Sequence, residues 1–579
     1  MRRLITNLLL ALLCLASPLL AQDMRMDTYC NPLNVDYTYM IYNSSKDISY
    51  RSGADPAVVE FRGEYYMFVT RSWGYWHSKD LLNWDFITPE KWYFEGCNAP
   101  AAHNYKDSVL YVCGNPSGAM SILYTDNPKR GDWKAVPSVL HDLQDPALFI
   151  DDDERAYMYW GSSNRWPIRG KELDMKNKFL PIAKKPDSLL FLRPDIHGWE
   201  RFGENHTSDI KPFIEGAWMT KHNGKYYLQY AAPGTQFNVY GDGVYVGKSP
   251  LGPFEYAAHN PFCYKPGGFA TGAGHGSTVC GPGGIYWHFG TIHLSINYKF
   301  ERRLCMFPTF FDEDGAMYSD TYFGDYPHYS PDQVSRQTTS GGFRGWMLLS
   351  YGKPVKASSQ LESYPVENVT DENLKTFWVA EKNDDKQWVE IDLEEVSDVY
   401  ALQLNFFDYE ETGFWGRMPN LRQRYLVEAS VDGARWRVLV DYRNSFRDAP
   451  HNYIELDQPI EARYIRYRHH YVPGKNLAMG DIRVFGLGRG KKPATVKGFT
   501  VVREADERNA RISWKAVKGA QGYNVLWGVA LDKLYSSWMV YGDNSLDLRA
   551  LTVGQKYYFA IESFNENGIS QRVFLREAH

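Results

Sequence analysis

The 579-residue sequence predicts an all-β chain, a five-bladed β-propeller followed by two β-sandwiches. Three observations carry that expectation. Strand and turn formers dominate: 42 Tyr, 30 Phe and 18 Trp stand beside 48 Gly and 30 Pro, and aromatic residues favour strands while Gly and Pro punctuate turns. A short aromatic pattern recurs five times in the first half. Strand-length alternation then resumes in two further stretches, and the length exceeds what one hydrophobic core supports, so several domains are expected.

Each of the five repeats is a turn followed by aromatic-rich alternation, the signature of a strand opened by a hairpin. The repeats fall at residues 63–68, 107–112, 154–159, 224–229 and 283–288. Upstream of each sits a second short element: Asp55-Pro56-Ala57-Val58, Ala99-Pro100-Ala101-Ala102, Asp145-Pro146-Ala147-Leu148, Glu215-Gly216-Ala217-Trp218 and His275-Gly276-Ser277-Thr278. Further strand-like runs follow the hairpins, for instance at 74–78, 122–125 and 244–247. Units of several antiparallel strands repeated radially are propeller blades, and five repeats imply five blades.

Equivalent positions in a propeller occupy equivalent radii, so the first residue of each short element is expected near the axis. Those positions hold Asp55, Ala99 (beside Asn98), Asp145, Glu215 and His275. Carboxylates gathered in one channel repel and perturb one another, so three acids and a histidine there point to chemistry rather than filling. Glycosidic hydrolysis needs such a set. One carboxyl group protonates the leaving oxygen, the other activates water or attacks, and a wide separation favours inversion. A third carboxylate can orient the acid and hold its pKa up. Two competing readings are a catalytically silent sugar-binding propeller and an adhesion protein. The intact acids favour hydrolysis.

In this order and spacing the motifs of residues 28–335 resemble family 43 glycoside hydrolases. The matching residues are Asn31-Pro32, Ala54-Asp55-Pro56, Asn98-Ala99-Pro100, Gln144-Asp145-Pro146-Ala147, Ile214-Glu215-Gly216-Ala217 and Gly274-His275-Gly276-Ser277. Arg302, ahead of Pro308 and Phe310-Phe311-Asp312-Glu313-Asp314-Gly315, completes them. The resemblance implies an inverting mechanism that needs no cofactor, with Asp55 as general base, Glu215 as general acid and Asp145 tuning and orienting Glu215. It implies that Arg302 contacts the glycone and that His275 binds a calcium ion or an ordered water deep in the channel, a metal-free channel histidine remaining equally open. Arabinofuranosides, xylosides and galactofuranosides in plant-type glycans are the implied substrates. Trp73 and Trp76 are candidate stacking walls for the sugar, with packing inside the blade as the alternative, and Asn98 lines the same channel. The run Asp151-Asp152-Asp153-Glu154 reads as a solvated hairpin turn rather than a metal cluster.

Residues 345–488 alternate in strand-length runs such as Trp388-Val389-Glu390-Ile391-Asp392-Leu393, as a β-sandwich does. They resemble a discoidin (coagulation factor V/VIII type C) domain, like family 32 carbohydrate-binding modules. The resemblance rests on Asn368, residues 371–378, Ser430-Val431-Asp432-Gly433 with Trp436, and Arg463-Tyr464-Ile465-Arg466, and it implies a structural calcium near Asp371. Phe407, Tyr409, Phe414 and Trp415 cluster in an expected loop, either stacking on sugar or packing against the propeller. Residues 491–579 resemble one fibronectin type III domain through Ile512-Ser513-Trp514, Gly522-Tyr523-Asn524-Val525 and Tyr557-Tyr558-Phe559-Ala560, and a spacer role is expected.

Residues 1–21 read as an export signal: Arg2-Arg3, an apolar run over 8–20, then Ala21 before the polar Gln22-Asp23. That run is too short for a useful membrane span, so a periplasmic or extracellular monomer is expected. Six cysteines beyond Cys14 (Cys30, Cys97, Cys113, Cys263, Cys280 and Cys305) leave disulfides and free thiols equally open, and no C-x-x-C spacing suggests zinc. A net charge of −5 with no basic stripe excludes nucleic acid as the expected partner. The expected partner is an oligo- or polysaccharide.

Overall fold

The computed structural model describes residues 26–43, 48–92, 94–115, 121–137, 143–336, 341–411, 416–418 and 421–575. The expected export signal, Phe414 and Trp415 lie outside the described residues. The first half forms five antiparallel sheets, each built in chain order from consecutive strands. Their first strands are Ala57–Phe61, Asn98–Tyr105, Ala147–Ile150, Glu215–His222 and Gly274–Cys280. Each pairs with the strand that the aromatic repeat marked: Glu64–Phe68, Val109–Asn115, Ala156–Trp160, Lys225–Ala232 and Tyr286–His293. Alternation puts Val58, Met67 and Trp76 in one buried layer and Val59, Tyr66 and Phe68 in another, so each sheet is apolar on both faces.

The five first strands touch one another in ring order, and Gly274–Cys280 returns to Ala57–Phe61. The chain start reinforces that closure. Thr28–Tyr29 pairs with His328–Tyr329, and the Asn31 amide donates to the Met306 and Gly324 carbonyls at 3.0 and 2.8 Å.

Every first strand is entered through a left-handed residue: Asp55 (φ 56°), Ala99 (45°), Asp145 (49°), Gly216 (66°) and His275 (48°). This kink defines the true register of the repeat, and it corrects one expectation. Glu215 does not share the position of Asp55, Asp145 and His275; Gly216 does. Glu215 stands one residue earlier, level with Asn98 and Gly274, because all three precede the same bulge in their sheets. What excludes a side chain at 216 is its neighbour, since a Cβ would lie 2.9 Å from the His275 ring.

Residues from Met347 to Leu487 form an eight-stranded assembly around two long strands, Trp388–Phe406 and His451–Tyr471, with Trp378, Val389, Leu402, Tyr467 and Val484 in its core. Residues from Lys497 to Leu575 form a three-stranded and a five-stranded sheet around Ile512, Val525 and Ile561. Buried charge joins these regions. Lys265 pairs with Asp325 at 2.9 Å, Arg483 grips Glu372 through Nη2 and Nε at 2.7 and 2.9 Å, and Arg483 also donates to the Asp325 carbonyl at 2.6 Å. Tyr541 adds a contact to Glu372 at 3.4 Å from the third region.

All six described cysteines are free thiols, five of them buried. The acidic run at 151–154 is a turn only in part: Asp151 is buried under Tyr226 and Lys221, both at 2.5 Å, while its three successors are exposed.

Candidate active site

The kinks that open the first strands turn their side chains toward the ring axis. Asp55 is held there from three sides. Its backbone N–H donates to Thr291 Oγ1 at 2.9 Å, and its Oδ2 accepts from Thr70 Oγ1 at 2.6 Å. Its Oδ1 faces His275 Nδ1 at 3.3 Å and Arg302 Nη1 at 3.4 Å. Thr70 Oγ1 also accepts the Ala99 N–H at 2.8 Å, so one hydroxyl ties the first two sheets at the axis. Burial works against the charge of Asp55, but Arg302, His275 and the Thr70 bond outweigh it and hold the carboxyl below its usual range. Asp55 is therefore held in its charged form.

His275 is the hub. Its Nδ1 lies 3.8 Å from Asp145 as well as 3.3 Å from Asp55. Its backbone N–H and that of Gly276 both donate to the buried Asp242 carboxylate, at 2.8 and 3.0 Å. Burial disfavours its charge, yet Asp55, Asp145, Glu215 and Asp242 together raise its pKa above the ordinary value. The carboxylates around the ring thus favour its charged form.

Glu215 enters from the fourth sheet and is held by hydroxyls. Tyr240 donates to Oε1 at 2.6 Å and Ser162 to Oε2 at 3.1 Å. Burial and the Glu215 and Asp55 carboxylates push the Tyr240 phenol far up, so it stays a donor. The sheets of Asp55 and Glu215 are not neighbours in the ring, whereas those of Asp145 and Glu215 are. Arg302 is 7% exposed, reaches Thr235 Oγ1 at 3.5 Å, and keeps an Nε–H without a hydrogen-bond partner among the described residues. Asn98 accepts from Arg71 Nε at 2.8 Å.

Two expected walls need correction. Trp76 is 1% exposed, with its indole N–H on Asp36 at 2.6 Å and its ring edge-on to Phe86. It is blade core and cannot stack on a sugar. Trp73 is half-buried, and Gly416 of the second region lies against its ring so closely that a Cβ there would be 2.9 Å away. Phe407 likewise stacks on Phe377 at 4.1 Å, and Tyr409 meets Tyr364 edge-on. Thr70, Ser162, Tyr240 and Asp242 were not legible from the repeat. The first two follow the marked hairpin strands at a short, regular offset, which is the one signal that would have found them.

Residues 46–317 match the family described as Glycosyl hydrolases family 43, and residues 354–479 match the F5/8 type C domain. These matches support a family 43 glycoside hydrolase domain, over just under half of the chain, followed by a discoidin-like domain. Among similar proteins, a beta-xylosidase of Xylanibacter ruminicola is 33% identical over 202 residues, covering 31% of this chain and 57% of that protein. An arabinoxylan arabinofuranohydrolase of Bacillus subtilis (strain 168) is 26% identical over 290 residues, covering 40% and 53%. A solved thermostable family-43 glycoside hydrolase aligns with a TM-score of 0.42 at 21% identity, over 52% of this chain and 99% of that one. The chain spans about half the length of these two curated relatives.

Proposed function

We propose that the chain is an exported, monomeric glycoside hydrolase whose five-bladed β-propeller cleaves arabinofuranosyl, xylosyl or galactofuranosyl bonds of plant-type glycans with inversion. The observation that carries this reading is the pairing of an ionised Asp55 with a hydroxyl-held Glu215 from a non-adjacent sheet. Asp55 takes a proton from water as that water attacks the anomeric carbon. Glu215 gives a proton to the departing oxygen, steadied by Tyr240 and Ser162. Inversion requires room for the water between the two carboxyl groups, and their separation around the ring favours it. The free Arg302 Nε–H is a donor for a glycone hydroxyl, and Asp145 acts on the acid–base pair through His275. The printed activities of the relatives, xylosidase and arabinoxylan arabinofuranohydrolase, support the pentosyl part of the proposal.

Calcium fits one of its two expected places. Near Asp371, the buried Asp481 Oδ2 has no hydrogen-bond partner among the described residues. Burial and the Glu372 and Asp371 carboxylates push Asp481 well up, so a cation held by Asp371 and Asp481 would relieve it. Chelation should then lower the melting temperature, and an unchanged one rules the ion out. Around His275 the fit is poorer, because Asp55 already faces Arg302 and the imidazole, and Asp145 faces the imidazole, so a cation has less to relieve there. The third region's two sheets suit a fibronectin type III spacer.

Activity on arabinofuranoside, xyloside and galactofuranoside probes tests the reading. Wild type should cleave at least one. Glu215→Gln and Asp55→Asn should each lose about 100- to 10,000-fold in kcat, the usual worth of a positioned acid or base. Retained activity in either variant would refute the assignment.

A further inference from the structure

We propose that Trp166 and Phe213 form the bed for the leaving-group side of the glycan, the sugar ring that departs when Glu215 gives up its proton. This deepens the hydrolase reading above and rests on Glu215 as proton donor.

Two short segments flank Glu215 and are zipped together. Ser162, which donates to Glu215 Oε2, follows the strand Ala156–Trp160. Its neighbour Ser163 exchanges both backbone hydrogen bonds with Ile214, the residue before Glu215, each at 3.0 Å. The Ser163 hydroxyl then accepts the Arg165 and Trp166 N–H groups at 2.9 and 3.1 Å, which turns the chain back on itself. Four residues reach at most about 14 Å even when extended, so this turn keeps Trp166 within a few sugar units of Glu215. From the other segment Phe213 arrives two residues before Glu215, its N–H fixed on the Pro233 carbonyl at 3.0 Å.

Trp92, Phe191 and Phe300 are exposed as well, and what sets Trp166 and Phe213 apart is exposure on the two segments zipped together beside Glu215. Trp166 is 61% exposed and Phe213 38%, in a region whose Trp76, Trp133, Trp199 and Trp287 are all below 2%. Apolar rings left open beside a polar pocket mark a contact surface. The Arg169 guanidinium lies 5.4 Å from the Trp166 ring and steadies it.

Chemistry identifies the occupant. A proton donor must lie within hydrogen-bond reach of the glycosidic oxygen. The glycone then occupies the inner side, against Asp55 and Arg302, and the rest of the glycan leaves past Glu215, over the Ser163–Ile214 pair. A sugar ring offers an apolar C–H face with hydroxyls around its edge, and an exposed indole or phenyl ring accepts that face while the hydroxyls stay wet.

The test compares two substrates with the same glycone: an oligosaccharide, and the glycosyl fluoride, whose leaving group has no ring to stack. In Trp166→Ala the ratio of kcat/KM on oligosaccharide to kcat/KM on fluoride should fall about five- to tenfold, through KM, with a smaller fall in Phe213→Ala and recovery in Trp166→Phe. An unchanged ratio overturns the proposal. Calorimetric titration of the oligosaccharide into Glu215→Gln, with and without Trp166→Ala, separates this failure from that of the hydrolase reading. Weaker binding with Trp166→Ala supports the bed whatever the role of Glu215, and equal binding overturns the bed alone.

Discussion

At the junction of the first two regions, Lys265 meets Asp325 at 2.9 Å and Arg483 grips Glu372 at 2.7 and 2.9 Å, each cation matched to an anion in a fully buried setting. At the ring axis, Asp55, Asp145 and Glu215 share one arginine and one histidine, and hydroxyls from Thr70, Tyr240 and Ser162 do much of the holding. Both places bury charge. At the junction each cation has its own anion, and Arg483 also reaches the Asp325 carbonyl from the second region to the first, so this charge holds the regions together. At the axis carboxylates are in excess, and the Arg302 Nε–H, which has no hydrogen-bond partner among the described residues, stays open to a ligand. Excess like charge held by neutral donors is the arrangement that keeps acids and bases available for proton transfer.

The comparison breaks if the two places respond alike to mutation. Asp55→Asn at the axis should abolish turnover and leave the melting temperature near wild type. Arg483→Met should do the reverse. It strands Glu372 as an unpaired buried carboxylate, at a cost of about 3–5 kcal/mol, so melting by calorimetry should fall by roughly 10 °C while turnover per folded molecule persists. Equal loss of activity in both variants would show that the junction also shapes the site.

A smaller effect sharpens the electrostatics. Arg302 depresses the Asp55 pKa, so Arg302→Met should let Asp55 protonate at higher pH. The acid limb of kcat/KM should then move up by about one pH unit, whatever happens to its height. A limb that stays in place would mean that Asp55 is not the base titrating there.

The sheets were legible because each hairpin carries an aromatic strand such as Glu64–Phe68 or Lys225–Ala232, and these strands recur at matching places. The acids were legible because they stand at the entrance to the first strands. The register was legible only to within one residue. A bulge between Glu215 and Trp218 shifts the fourth sheet, and a sequence repeat does not reveal which residue of a kink takes the left-handed conformation. Trp76 misled because alternation alone does not distinguish an indole inside a blade from one at its rim. Thr70, Ser162 and Tyr240 escaped notice because a loop hydroxyl gains its meaning only from the carboxylate that folding brings beside it. The union of Gly416 with Tyr39 and Trp73 joins residues far apart in the chain, and no local pattern encodes it.

The most direct test of the central claim, that Asp55 activates water on the face opposite Glu215, is proton NMR of the hydrolysis as it proceeds, read at the anomeric proton of the first-formed sugar. The expected product has the configuration opposite to that of the substrate bond, appearing before mutarotation. A first-formed sugar of retained configuration would contradict the account, because it would make one carboxylate a nucleophile on the anomeric carbon instead of a base on water.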